Sequence, residues 1–209
     1  ALAELCKDPL FTEPFAKSNQ TVYLDNSYFE LGYSLDTAAM LEAAEAVRAD
    51  VIILSDGTLE DMLVYKAQGY QVMAIPCGPS MEDQFLAALY NEEIDYVGLS
   101  FTHASKAMGT SRNDPSARFR FLQQLGCMLP SKKIHMLGMT DSVYEVSLLK
   151  PYHFAIASWD SSAAVWNGVQ GIRVDQMLGK NRKPVDFDAK VEWIEICNMN
   201  IKTIKEQAK

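Results

Sequence analysis

The chain has 209 residues, 48% of them hydrophobic and 22% charged, with a net charge of -8. Length and composition fit one globular domain with a sizeable core and room for a small appendage. The acidic balance argues against a general nucleic-acid coat, while leaving space for a local basic rim around a site.

In chain order, residues 2–10 read as a helix, so any strand before them would lie upstream of Ala1. Apolar runs at 21–25, 51–55, 71–76, 95–101, 133–139 and 153–159 read as strands. Their hydrophobicity is continuous rather than alternating, the mark of parallel strands covered on both faces by helices. Between them, Leu35-Asp36-Thr37 leads into an alanine-rich helix over 38–48. Ser55-Asp56-Gly57-Thr58 precedes a helix over 59–68 that stops at Gly69, a C′ residue. Pro79-Ser80 with Asp83 opens a helix over 81–91 in a pattern close to a capping box. The longest irregular stretch is 101–115, with Gly109, Asn113 and Pro115, a loop size usually tied to function. A helix over 116–125 ends at Gly126, and Thr140-Asp141-Ser142 opens another over 143–150, stopped by Pro151. The tail is a basic turn, Lys180-Asn181-Arg182-Lys183-Pro184, and a terminal helix over 187–205. Such βαβα alternation predicts a parallel α/β sheet, open or closed. Six strands are too few for a closed eight-stranded barrel.

Three apolar runs end in aspartate: Val22-Tyr23-Leu24-Asp25, Val51-Ile52-Ile53-Leu54-Ser55-Asp56 and Phe154-Ala155-Ile156-Ala157-Ser158-Trp159-Asp160. In a (β/α) barrel the C-terminal strand ends share one face, so these carboxylates would converge. Asp25 is either a strand-end acid/base or a cap in Asp-Asn-Ser turn chemistry. Taken alone, Asp56 favours the role of N-cap for the following helix. For Asp160 a nucleophilic role is preferred, with Ser161 and Ser162 to orient the carboxylate and Trp159 to shield it.

Gly98-Leu99 and Leu137-Gly138 bring glycines to strands, where they either admit a ligand to the backbone or serve sheet curvature. Cys77, in Pro76-Cys77-Gly78-Pro79, favours inert packing over reactivity, since no histidine is paired with it. His103, His135 and His153 lack ligand spacing, and His135 reads as a core histidine. Lys106, Arg112, Arg118 and Arg120 are either solvated surface or a rim that meets phosphates. The cysteines, Cys6, Cys77, Cys127 and Cys197, form no C-x-x-C pair and no zinc-like spacing. They point to a reduced, cytoplasmic setting. No run reaches the ~20 apolar residues of a bilayer span. A start at Ala1 rather than Met suggests a missing N-terminal piece.

These segments, in this order, resemble the tRNA-guanine transglycosylase superfamily, and within it the phage-encoded 7-deazaguanine DNA transglycosylases. The likeness holds at motif level from Leu2 to about Arg173. Asp25, in Leu24-Asp25-Asn26-Ser27-Tyr28-Phe29-Glu30, matches the family's Asp-Ser/Asn-Gly-x-Phe segment, whose aspartate is the general acid/base. Asp56 matches the aspartate that reads the base edge, and Gly98-Leu99 a Gly-Leu segment touching the base. His135-Met136-Leu137-Gly138 matches an x-Leu-Met-Gly or His-Leu-Leu-Gly segment, and Asp160-Ser161-Ser162 the nucleophilic aspartate with its small neighbours. Two departures stand out: Cys77-Gly78 replaces the family's Gln-Gly, and the zinc-binding Cys/His cluster of the tRNA enzymes is missing, which argues against tRNA.

The resemblance implies a TIM barrel over 1–175, lacking its N-terminal strand or strands, and a C-terminal extension over 176–209 whose helix packs on the barrel. It implies a base-exchange pentosyltransferase without cofactor or metal, taking guanine-containing DNA and a free 7-deazaguanine. Asp25 and Asp160 would be catalytic; Asp56, Cys77, Gly78, Gly98, Leu99, Leu137, Gly138 and Phe29 would line the base site. A phage protein of this kind would act in the host cytoplasm. The competing expectations are a nucleosidase or other small-molecule enzyme on the same barrel, and an inactive virion or binding protein.

Overall fold

A computed structural model describes residues 1–112, 114–126, 129–131, 133–139, 143–176 and 193–208, apart from the side chain of Phe29. The chain divides into two compact units, Ala1–Gly98 and Leu99–Lys209. Six strands follow one another in a single sheet order, β1-β2-β3-β4-β5-β6. This is an α/β fold in which each strand is laid beside its predecessor after a helical crossover.

In the first unit, β1 (Tyr23–Leu24), β2 (Val51–Ile53) and β3 (Gln71–Ala74) pair in parallel, with Tyr23 opposite Val51 and Ile52 opposite Val72. Strand β4 (Tyr96–Ser100) begins in this unit, with Tyr96 opposite Met73. Val51, Ile52, Val72 and Met73 have 0% exposure, which is what continuous apolar runs anticipate for strands covered on both faces. The helices here are α1 (Pro9–Ala16), α2 (Tyr28–Leu31), α3 (Thr37–Val47), α4 (Met62–Ala67) and α5 (Met81–Tyr90). Asp36 caps α3 by accepting from the Ala39 N–H at 2.8 Å.

Two expectations for this unit fail. Residues 2–10 are not a helix. Leu2 forms a parallel bridge to Asp25, and Ala3–Leu5 make a single 3-10 turn. The true helix, α1, starts at Pro9 behind Asp8, whose carboxylate accepts from Leu10 N–H at 2.9 Å. An Asp cap followed by Pro is a start signal in its own right, and it outweighs the apolar content of residues 2–5. Residues 1–3 thus lie along the edge of β1, where an upstream strand was expected. The Asp25 N–H donates to the Ala1 carbonyl at 2.7 Å, and the Ala3 N–H to the Asp25 carbonyl at 3.1 Å. Helix α4 likewise starts later than anticipated, behind Asp61, which holds a left-handed φ of 63°.

The second unit holds α6 (Phe101–Ala107), α7 (Ala117–Leu125), β5 (Ile134–Leu137), α8 (Val143–Leu148), β6 (Ile156–Trp159), α9 (Ala163–Val169) and α10 (Trp193–Gln207). The stretch 101–115 is not one irregular loop. Ser100 accepts from the His103 N–H at 3.5 Å and α6 follows, because no Gly or Pro interrupts the chain before Gly109. The basic turn 180–184 and the anticipated start of the terminal helix at 187 lie outside the described residues. No described helix is long and apolar enough to cross a membrane.

Helix α10 lies on α9 and α8. It approaches α9 closely at Gly168, where an added Cβ would sit 2.3 Å from Cys197 Sγ and 2.8 Å from the Cys197 backbone nitrogen. Asn200, 1% exposed, secures the crossing: its amide donates to the Ala164 and Ile172 carbonyls and its oxygen accepts from the Val174 N–H. Backbone cannot yield as a side-chain tip can. Gly168→Ala should therefore destabilise the fold by about 1–3 kcal/mol, read as a lower urea midpoint, the usual cost of overpacking.

Candidate active site

The second unit carries the best-defined chemistry. Strand β6 pairs with β5 through an irregularity: Ile134 lies opposite Ile156, but His135 lies opposite Ser158, so Ala157 is the extra residue. Bulges of this kind re-aim side chains and are common beside active sites. The shift lets Ser158, and with it Asp160 two residues on, share the face of His135. Trp159 turns the other way, packing with Met139, Val146 and Ala163, and its indole N–H donates to the Gly138 carbonyl at 3.1 Å.

Asp160 keeps 58% of its side chain exposed. Its Oδ1 accepts from the Gly138 N–H at 2.5 Å and lies 3.5 Å from His135 Nε2. On the far side of the imidazole, Nδ1 is 2.7 Å from Ser158 Oγ. Surrounding protein raises the Asp160 pKa by desolvation. Hydrogen bonding from His135 and Gly138 outweighs that effect, attraction to His135 and Arg118 adds to it, and the net pKa is below the usual carboxylate value. The groups set against the carboxylate are thus His135 and Gly138. Ser161 instead accepts from the Ala163 N–H at 2.9 Å at the start of α9, and Trp159 faces helices. The core reading of His135 holds as to burial, at 3% exposure, but its ring also reaches Asp160.

Arg118 corrects a second expectation. It is not a rim residue for phosphates, having 0% exposure. Nε donates to Glu145 Oε1 at 2.7 Å, Nη1 to the Leu99 and Leu137 carbonyls at 3.1 and 3.2 Å, and Nη2 to the Gly138 carbonyl at 2.9 Å. The guanidinium carbon lies 5.3 Å from the Trp159 ring centroid. One buried cation thus holds the ends of two strands. The carbonyls expected to read a base at Leu99, Leu137 and Gly138 each already accept from it, and the Gly138 carbonyl accepts from the Trp159 indole as well, which fills both of its lone pairs. Leu99 itself has 0% exposure and Gly98 is buried, so neither offers a side-chain surface. Lys106, Arg112 and Arg120 are exposed.

In the first unit, Asp25 ends β1 and its Oδ1 accepts from the Ser27 N–H at 2.8 Å. The turn is fastened to the end of β2 by Asn26, whose amide donates to the Leu54 carbonyl at 2.8 Å. Ser27 is buried with a left-handed φ of 58°. Helix α2 follows and carries Glu30, whose pKa is raised by desolvation and then by the charges of Asp25 and Glu4. Glu30 thus titrates as a group in its own right, beyond the support that its place in the segment lends to Asp25. Its signal was an acid one short helical turn beyond a strand-end acid. Phe29 lies in α2, and its side chain falls outside the described residues.

Asp56 is half-buried and is not the cap of α4, a place taken by Asp61. The loop after it meets the loop after β3. The Gly57 N–H donates to the Ile75 carbonyl at 2.8 Å, and a Cβ on Gly57, at φ +73°, would lie 2.9 Å from Cys77 Sγ. Cys77 packs against that glycine, and its N–H donates to Gln84 Oε1 at 3.3 Å. Gly78, at φ +82°, meets open space where a Cβ would be. A cavity of about 260 Å³ adjoins these loops, lined by Gly57, Thr58, Ile75, Pro76, Gln84 and Ala88. Two groups of anticipated residues meet within the units. Asp56-Gly57 meets Cys77-Gly78 in the first unit, and Leu137-Gly138 meets Asp160 in the second. No family model, curated protein or solved structure matches this chain.

Proposed function

We propose that the chain is a base-exchange transglycosylase on a TIM-type (β/α) barrel, replacing guanine in DNA by a 7-deazaguanine. One observation carries the reading: Asp160 is an exposed carboxylate at a strand end, with one oxygen set against a backbone N–H and a buried imidazole that lower its pKa. A carboxylate below its usual pKa is a poor acid and a ready nucleophile. A sheet whose parallel strands follow chain order supports the barrel.

In this reading an Asp160 oxygen attacks C1′ of a guanosine unit. The C1′–N9 bond breaks, its electron pair goes to guanine, and Asp25 supplies the proton the departing base takes up. The incoming 7-deazaguanine then loses its N9 proton to Asp25 and attacks C1′. The ester bond breaks and Asp160 is regenerated. Two displacements retain configuration, and no cofactor is consumed. Guanine in a duplex has to leave the stack first, and the Asp56 and Cys77-Gly78 loops would receive it, with Gln84 as an amide beside the cysteine. Exposed Lys106, Arg112 and Arg120 are the cations for phosphates.

Incubating the protein with guanine-containing DNA and radiolabelled guanine or 7-deazaguanine bases tests this directly. Label is expected in acid-precipitable DNA. Folded protein that transfers no label from any of these bases would end the reading. Turnover of free nucleosides without DNA would instead favour a nucleosidase, and DNA binding without turnover an inactive binding protein.

A further inference from the structure

We propose that His135, oriented by Ser158, is a positioning residue that pins Asp160 through Oδ1 and leaves Oδ2 as the attacking oxygen. The chemical meaning of that role rests on Asp160 being the nucleophile proposed above; the geometry stands apart from it. Both donors near the carboxylate, the Gly138 N–H at 2.5 Å and His135 Nε2 at 3.5 Å, meet the same oxygen, Oδ1. A carboxylate only accepts, so Nε2 carries a proton. In a neutral ring Nδ1 is then an acceptor, and Ser158 Oγ, 2.7 Å away, donates to it. The hydroxyl thereby selects the tautomer that faces Asp160.

Burial runs in the order such a device needs. The His135 side chain is 4% exposed and fixed, whereas Asp160 at its end is 58% exposed and open to a ligand. The bulge at Ala157 is what brings Ser158 opposite His135; unshifted pairing from Ile134 and Ile156 would put Ala157 there, with no hydroxyl. The other charges facing Asp160 come from α7 and α8. Arg118, on α7, attracts it, and the Arg118 guanidinium is itself paired with Glu145 on α8 at 2.7 Å.

The test follows Asp160 itself. Protein labelled with ¹³C at aspartate Cγ is titrated by NMR, with the Asp160 signal assigned by its loss in Asp160→Asn. His135→Gln should raise the Asp160 midpoint by about one pH unit. Ser158→Ala should raise it by a smaller amount, and Ser158→Thr, which keeps the hydroxyl, should restore it. A purely structural role for His135 would lower stability and leave the midpoint in place, and that result overturns the proposal. Should His135→Gln fail to give a folded amide spectrum, His135→Asn and the Ser158 pair carry the same comparison. A second arm measures covalent adduct formation with guanine-containing DNA, where His135→Gln should lower kcat roughly 10–100-fold with KM unchanged. Midpoints that move while even the wild type forms no adduct leave the positioning role intact and end the transglycosylase reading. An adduct that forms at the wild-type rate in His135→Gln, with the midpoint stationary, ends the positioning role alone.

Discussion

Glu145→Ala should be among the most damaging single changes in this protein, costing about 3–5 kcal/mol and lowering the thermal midpoint by roughly 10 °C. Glu145 and Arg118 have 0% exposure, and their ion pair closes at 2.7 Å. Removing the carboxylate leaves a guanidinium in the core with no compensating charge, and a buried cation cannot be shed by deprotonation at working pH. Arg118→Met should cost a similar amount for a different reason. The Leu99, Leu137 and Gly138 carbonyls would each lose a guanidinium donor, with only Gly138 keeping the Trp159 indole N–H, and Trp159 would lose the cation beneath its ring. The double variant Arg118→Met with Glu145→Leu separates the two effects. It removes the stranded charge but not the orphaned carbonyls, so it should be less stable than wild type and no less stable than Glu145→Ala. Urea unfolding of the three variants measures this; additive losses in the double variant would show that the pair is not acting as a unit.

What the sequence could reveal here followed from burial. Six continuous apolar runs named six strands, because parallel strands are covered on both faces and leave nothing to alternate. Helices with plain caps, such as α3 behind Asp36, were equally legible. The errors share a different origin. Arg118 looked like a surface cation because charge says nothing of depth; only the spatial meeting of α7 with Glu145 on α8, 27 residues away, makes its burial tolerable. His135 read correctly as core but not as a partner of Asp160, since that contact depends on one bulged residue, Ala157, which leaves no mark in composition. Asp56 stands before a turn sequence that mimics a helix cap, yet the helix starts only after Asp61. The strand-end aspartates were visible; which atoms hold them was not.

Asp160→Asn should leave the protein folded and reduce formation of a covalent enzyme–DNA adduct by at least about 10³-fold. Asparagine is nearly isosteric and keeps an oxygen to accept from the Gly138 N–H, so the 2.5 Å contact has a substitute and the β5–β6 pairing is undisturbed. What disappears is the anionic oxygen that would bond to C1′. Asp160→Glu retains the charge but places it one methylene further out, away from Gly138 and His135; a misplacement of that size should cost on the order of 10²-fold. The acid side of the pH profile gives a further constraint. The Asp160 pKa lies below the usual carboxylate value, so the nucleophile keeps its charge to lower pH than an ordinary aspartate does. By the same sign, the stability it contributes is full above its unfolded-state pKa and is lost as pH falls through the lower folded value. Glu30, whose pKa is raised, takes up its proton at higher pH than Asp160 does. Adduct yield should therefore persist into mildly acidic solution in the wild type, while Asp160→Asn shows none at any pH. An adduct of equal yield in Asp160→Asn, detected by gel shift under denaturing conditions, would remove this aspartate from the reaction and the proposed mechanism with it.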